Sequence, residues 1–151
     1  NLTLKCVAGG MPGVMTRVPA PHPIDFTEQG DDIVLRVEVF DIVRTIHMGT
    51  DLNASQQSPT PLGYSQGRWE GDTLFVHTTR VSWPYFNQSG SITQSEAVEI
   101  NERFTIGGDD RLVYNIVVTD PATFTEPVSA RFVLGWRPDV VVEPYRCIPD
   151  E

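Results

Sequence analysis

The sequence predicts an all-β domain, and three observations point there. Twelve prolines and twelve glycines among 151 residues impose frequent turns and short elements. Segment after segment alternates apolar with polar residues at the period of two that a half-buried strand requires. No window places apolar residues at helical spacing without Gly or Pro intruding, so no helix is expected. A composition 40% hydrophobic and 21% charged is globular, and the length suits a single domain over residues 1–151 with a core of its own.

The arm over residues 1–22 contains most of the Gly- and Pro-rich stretch "VAGGMPGVMTRVPAPHP", which supports no more than a short edge strand. "IDFTEQGDDIVLRVEVF" reads as a hairpin turning at Gly30-Asp31, with Ile33, Leu35, Val37 and Val39 on one face, and the strand "IVRTIHM" follows. Residues 49–67 are polar, broken by Pro59 and Pro61, and long enough for a functional lid. "RWE", the Gly71-Asp72 turn and "TLFVHTT" form another hairpin, and a second loop, "VSWPYFNQSGSITQS", carries Trp83, Tyr85 and Phe86.

The last third repeats the pattern in "EAVEINERFTI", "RLVYNIVVTD", "VSARFVLGWR" and "VVVEPYRC", separated by "GGDD", a Pro-flanked connection and Pro138-Asp139. Eight or nine successive antiparallel strands must hide their edges. Short connections favour an up-and-down barrel of the lipocalin or streptavidin kind, with room inside for one small ligand.

Charge narrows the partners. Twenty acidic against eleven basic residues give a net charge of −9, which repels nucleic acid and anionic membrane surfaces. No apolar run approaches a bilayer span. The first residue is Asn1 rather than Met, which fits removal of an export signal. Cys6 and Cys147 lie near opposite ends; they form either a disulfide or two buried thiols, and a disulfide would place the protein in a secreted or periplasmic setting. The N-x-S/T triplets at Asn1, Asn53 and Asn87 carry little weight, because polar loops produce them by chance. Zinc-ligand spacings, GxSxG, the P-loop and dinucleotide fingerprints are absent from the sequence, so neither metal nor cofactor is expected.

Function in a barrel should show as polar residues on apolar faces. Glu102 shares a face with Val98, Ile100, Phe104 and Ile106, and Arg44 shares one with Ile42, Ile46 and Met48. An interior Arg44–Glu102 pair is expected, either structural or orienting a substrate. His77 alternates with Phe75, and His47 with Val43 and Thr45, so register decides whether each faces inward as a proton shuttle. Tyr64 and Tyr85 are the candidate acids or oxyanion donors. Trp83 and Phe86 either plug the core or line a pocket mouth, and Trp69 joins the substrate-contacting set. His22, between prolines, is expected to be exposed.

"GYSQGRWEGDTLFVHTT", "SEAVEINERFTI", "PYRC" and "CVAGGMPG" together resemble a family of exported bacterial β-rich proteins of unknown function. That family carries a G-H-S-x-G-R-W-E-G-D-T-L-V-V-D-T-T core and a terminal Cys pair. The resemblance implies an extracytoplasmic β domain and no particular reaction. Tyr64, His77 and His47 stand where the family usually has His, Asp and Tyr, which suits a member specialised for its own ligand. Pro144 replaces the acid of its C-terminal E-Y-x-C.

These readings lead to an exported barrel that performs cofactor-free acid/base chemistry, of lyase, isomerase, hydratase or cyclase type, on a small hydrophobic or aromatic molecule. His77 or His47 would be the base. The alternatives are a carrier of such a molecule, or a structural domain with a filled barrel; oligomers are compatible with each. Titratable residues around an open cavity favour the enzyme, an open apolar cavity the carrier, and a solid interior the structural domain.

Overall fold

In the computed structural model, which describes residues 1–17 and 22–150, eight strands lie in one sheet in sequence order. They are β1 (Ile24–Gln29), β2 (Asp32–Val37), β3 (Ile42–His47), β4 (Tyr64–Glu70), β5 (Thr73–Thr79), β6 (Glu99–Gly107), β7 (Arg111–Thr119) and β8 (Val128–Gly135). The sheet curls into a half-barrel whose edges are β1 and β8. Residues 18–21 of the expected N-terminal arm lie outside the described residues.

Two hairpins form where Gly-Asp pairs stand. Gly30 and Gly71 take φ of 63° and 57°, a left-handed value that glycine adopts without steric cost. The register then follows, with Gln29 opposite Asp32 and Glu70 opposite Thr73. Neighbouring strands are antiparallel except β3 and β4, which run parallel over Ile46–Ser65 and His47–Gln66. A parallel step needs a crossover, and the long polar loop supplies it. That loop ends before Tyr64 rather than at Gly67, because "YSQ" is drawn into β4.

Two other expectations are corrected. The arm holds a helical turn, α1 (Gly13–Thr16), rather than an edge strand. So short a helix has little stability of its own, but Met11, Val14 and Met15 are fully buried, each contributing about 1.5–3 kcal/mol. They fill the end of the half-barrel next to the start of β4, Met11 N donating to Pro61 O at 3.0 Å and Met11 O accepting from Gln94 Nε2 at 2.8 Å. "VVVEPYRC" is not a strand but a tail without regular secondary structure. Its amides find carboxylates instead of a neighbouring backbone: Glu143 N donates to Glu38 Oε2 at 3.2 Å and Tyr145 N to Asp41 Oδ1 at 2.9 Å. Cys147 then bonds Cys6, closing a sequence separation of 141, so the two cysteines are not free thiols.

Inner-face residues follow the period of two from strand to strand. Leu35, Arg44, Val76, Glu102 and Ile116 are buried inward, while Val43, Thr45 and Arg103 are exposed. Phe26 of β1 meets Phe104 of β6 with ring centroids 5.3 Å apart. Tyr114 and Phe132 continue this row, Tyr114 stacking on Phe104 at 4.6 Å and Phe132 on Tyr114 at 5.9 Å. The aromatic row therefore forms a floor across the interior even though β1 and β8 do not pair.

Candidate functional site

Beneath that floor lies a buried polar layer built from β3, β4, β5, β6 and β7. Arg44 projects inward between Ile42 and Ile46, and Ser65, Thr78, Glu102 and Tyr114 project to meet it from their own strands. The Arg44 guanidinium donates through Nη1 to Glu102 Oε1 at 2.9 Å and through Nη2 to Glu102 Oε2, a bidentate pair. Its Nε reaches Ser65 Oγ at 3.0 Å and its Nη2 reaches Thr78 Oγ1 at 2.8 Å. Tyr114 donates its hydroxyl to Glu102 Oε1 at 2.7 Å.

Burial works against the Arg44 charge, but the Glu102 carboxylate outweighs it and raises the guanidinium above its ordinary value. Burial, reinforced by the Glu102 charge, pushes the Tyr114 phenol well up, against a smaller opposing pull from Arg44. Tyr114 thus remains a donor at neutral pH. The expected Arg44–Glu102 pair forms, and neighbouring side chains occupy its hydrogen-bonding groups. Neither Arg44 nor Glu102 lines the open cavity above the floor.

Above the floor the interior is open. A cavity of about 570 Å³ lies at the end where β4 turns into β5 and β6 into β7. Its walls include Phe26, Ile33, Leu74, Phe104, Leu112 and Leu134, with Trp69, Ile106 and Trp136 at the mouth. The last three are 53%, 63% and 69% exposed, a large apolar surface left in water. Asp25, Thr27, Glu28, Asp110 and Arg111 supply the polar part of the lining. Volume and lining match a pocket for a small, mainly apolar molecule.

The sequence-predicted residues are dispersed. Trp69 alone of the proposed set lines this cavity. His47 and His77 lie on the convex face rather than inside, because Ile46, Val76 and Thr78 occupy the inward positions beside them. His47 Nδ1 stands 3.1 Å from Asp32 Oδ2, and its ring stacks on Tyr64 with centroids 4.6 Å apart. His77 Nε2 approaches Glu99 Oε2 at 3.4 Å, close enough for an ion pair but without hydrogen-bond geometry.

Trp83, Tyr85 and Phe86 fold back over the other end, beside α1. Trp83 packs edge-on to Tyr85 at 5.6 Å, and Phe86 edge-on to Phe124 at 5.1 Å. His22 is partly covered, with Nδ1 3.3 Å from Glu38 Oε1 and its ring against Tyr145. The four proposed proton carriers, His47, His77, Tyr64 and Tyr85, therefore share no interior site.

Sequence reasoning places Ile106 on the face of Glu102 but assigns no pocket role to it or to Phe26, Leu112, Leu134 and Trp136. Their signal was available: each inward apolar residue near the "GGDD" end continues the face that carries Glu102 or its neighbours. No group of three His, Cys, Asp or Glu among the described residues is placed to hold a metal, and no helix among them is long and apolar enough to cross a membrane. Comparisons with protein-family models, curated proteins and solved structures find no match to the chain.

Proposed function

We propose that the protein binds a small apolar or aromatic molecule in the open end of its half-barrel and carries or sequesters it without transforming it. The observation that supports this reading is the apolar cavity of about 570 Å³ with two tryptophans at its mouth. None of the proposed proton carriers lines the cavity: Glu102 is held by Arg44 and accepts the Tyr114 hydroxyl below the floor, and both histidines sit on the convex face, which leaves Asp25, Glu28, Asp110 and Arg111 as the charged groups of the lining. The Cys6–Cys147 bridge supports residence in an oxidising compartment, secreted or periplasmic, where an apolar compound needs a soluble carrier.

Binding would bury ligand surface against Phe104, Leu112 and Leu134 while Trp69 and Trp136 close over it. Each buried methylene contributes about 0.8 kcal/mol, so affinity should rise about fourfold per added carbon until the cavity fills. Titration of the protein with N-phenylnaphthylamine, a neutral apolar fluorophore, followed by competition with straight-chain alcohols, tests the proposal. Enhanced fluorescence, displacement that strengthens with chain length, and loss of both in Leu112→Glu are expected. Absence of any enhancement, or enhancement unaffected by Leu112→Glu, would count against it.

A further inference from the structure

The convex face of β4–β8 carries a feature that the cavity does not use. Strand register aligns Arg68 with Phe75, Phe75 with Arg103, Arg103 with Asn115, and Asn115 with Arg131. All five lie on the outer face, so three arginines stand in one row at every second strand. They are three of only eleven Lys and Arg residues in a chain of net charge −9, which makes their alignment on one face notable. Arg68 pairs with Glu70 at 2.9 Å and lies over the Phe75 ring, 4.9 Å from its centroid. Arg103 and Arg131 are exposed, and among the described residues neither has a carboxylate within ion-pair distance. A depression of about 200 Å³ covers the row from β4 to β7, lined by Arg68, Phe75, His77, Arg103 and Asn115, and stops short of Arg131.

We propose that this face binds an anionic polysaccharide bearing one carboxylate per disaccharide. Two strand spacings separate the backbone positions of the two unpaired arginines, Arg103 and Arg131, by about 9–10 Å, close to the length of a disaccharide unit. Between Arg103 and Arg131, Asn115 offers an amide for sugar hydroxyls, while the Phe75 ring is already covered on one face by Arg68. Other polyanions fit less well. Same-face carboxylates of an extended acidic peptide recur at about 6.5–7 Å and fall out of step with the row. A nucleic acid carries its phosphates far more densely than one charge per about 9–10 Å.

Calorimetric titration with a hyaluronan octasaccharide at low salt tests this, with a neutral cello-oligosaccharide and poly-glutamate as controls. The expected result is binding to hyaluronan alone, weakening with salt, and reduced about tenfold or more in R103Q/R131Q through loss of charge-assisted contacts. Thermal melting should show that the double variant folds, since both side chains are exposed. If it does not, R131Q on the edge strand β8 carries the same comparison, with a smaller expected loss. No binding to hyaluronan, equal binding by the variant, or poly-glutamate bound as tightly would overturn the proposal.

Discussion

The two ends of the half-barrel are made by the same strands and differ in what lies across them. At the closed end, α1 and the aromatic loop cover the interior: Gln94 Nε2 donates to Met11 O at 2.8 Å and to Trp83 O at 2.9 Å, and the Cys6–Cys147 bond lies in the terminal segments that pack there. At the open end, Trp69, Ile106 and Trp136 face water. Stability should therefore concentrate in the closed end and the polar layer next to it, while the mouth retains freedom to admit a guest.

The sharpest test of that contrast removes one partner from the polar layer. Glu102→Ala leaves Arg44 buried without its counter-ion, at an expected cost of about 3–5 kcal/mol, read as a fall in the urea midpoint at constant slope. Arg44→Met combined with Glu102→Leu should recover most of the loss, since neither charge is then stranded. A double variant as unstable as the single one would mean that the layer acts through more than charge pairing. Next in size, Cys6→Ser with Cys147→Ser frees a loop of 141 residues in sequence separation and should cost about 2–5 kcal/mol by the same measurement. An unchanged midpoint would show that the tail contacts to Glu38 and Asp41 suffice alone.

A smaller effect arises from Asp120, which is buried at the closed end. Burial by itself would raise its pKa, but hydrogen bonds from the Ser95 hydroxyl and amide, at 2.6 and 2.7 Å, outweigh burial and lower it. A carboxylate whose folded pKa lies below its unfolded value stabilises fully above the unfolded value near 4. The contribution is lost as pH falls from there through the folded value. Asp120→Asn should therefore flatten the acid limb of a stability–pH profile and cost about 1.5–3 kcal/mol at neutral pH. An acid limb identical to that of the parent protein would remove Asp120 from this role.

The contrast between the ends also explains what was legible beforehand. Glu102 was placed correctly because its strand alternates strictly and inward neighbours on both sides are apolar. Arg44 was found for the same reason, and their meeting followed from two local patterns. The Gly30 and Gly71 turns announced their hairpins because left-handed φ has a residue signature. The positions of His47 and His77 also had a signal: Ile42/Ile46 and Leu74/Val76 form the more apolar faces of their strands, which turns the histidines outward. Less could be read for α1, whose stability comes from burying Met11, Val14 and Met15 rather than from helical periodicity. The tail "VVVEPYRC" misled because β-branched residues favour extended backbone whether or not a partner strand is present.

At the mouth the expected change in stability is smallest. Trp69 is 53% exposed and packs against a void, so Trp69→Ala removes little buried surface and leaves no sealed cavity. Its cost should be within about 0.5–1 kcal/mol, several-fold below that of Glu102→Ala. Binding should respond in the opposite sense. The indole lies where an apolar guest would be covered, and its removal should weaken N-phenylnaphthylamine by about tenfold while leaving the urea midpoint almost in place. A Trp69→Ala variant that melts early but binds the fluorophore as well as the parent would reverse the assignment of the two ends, making the mouth a structural element and sending the search for the ligand elsewhere.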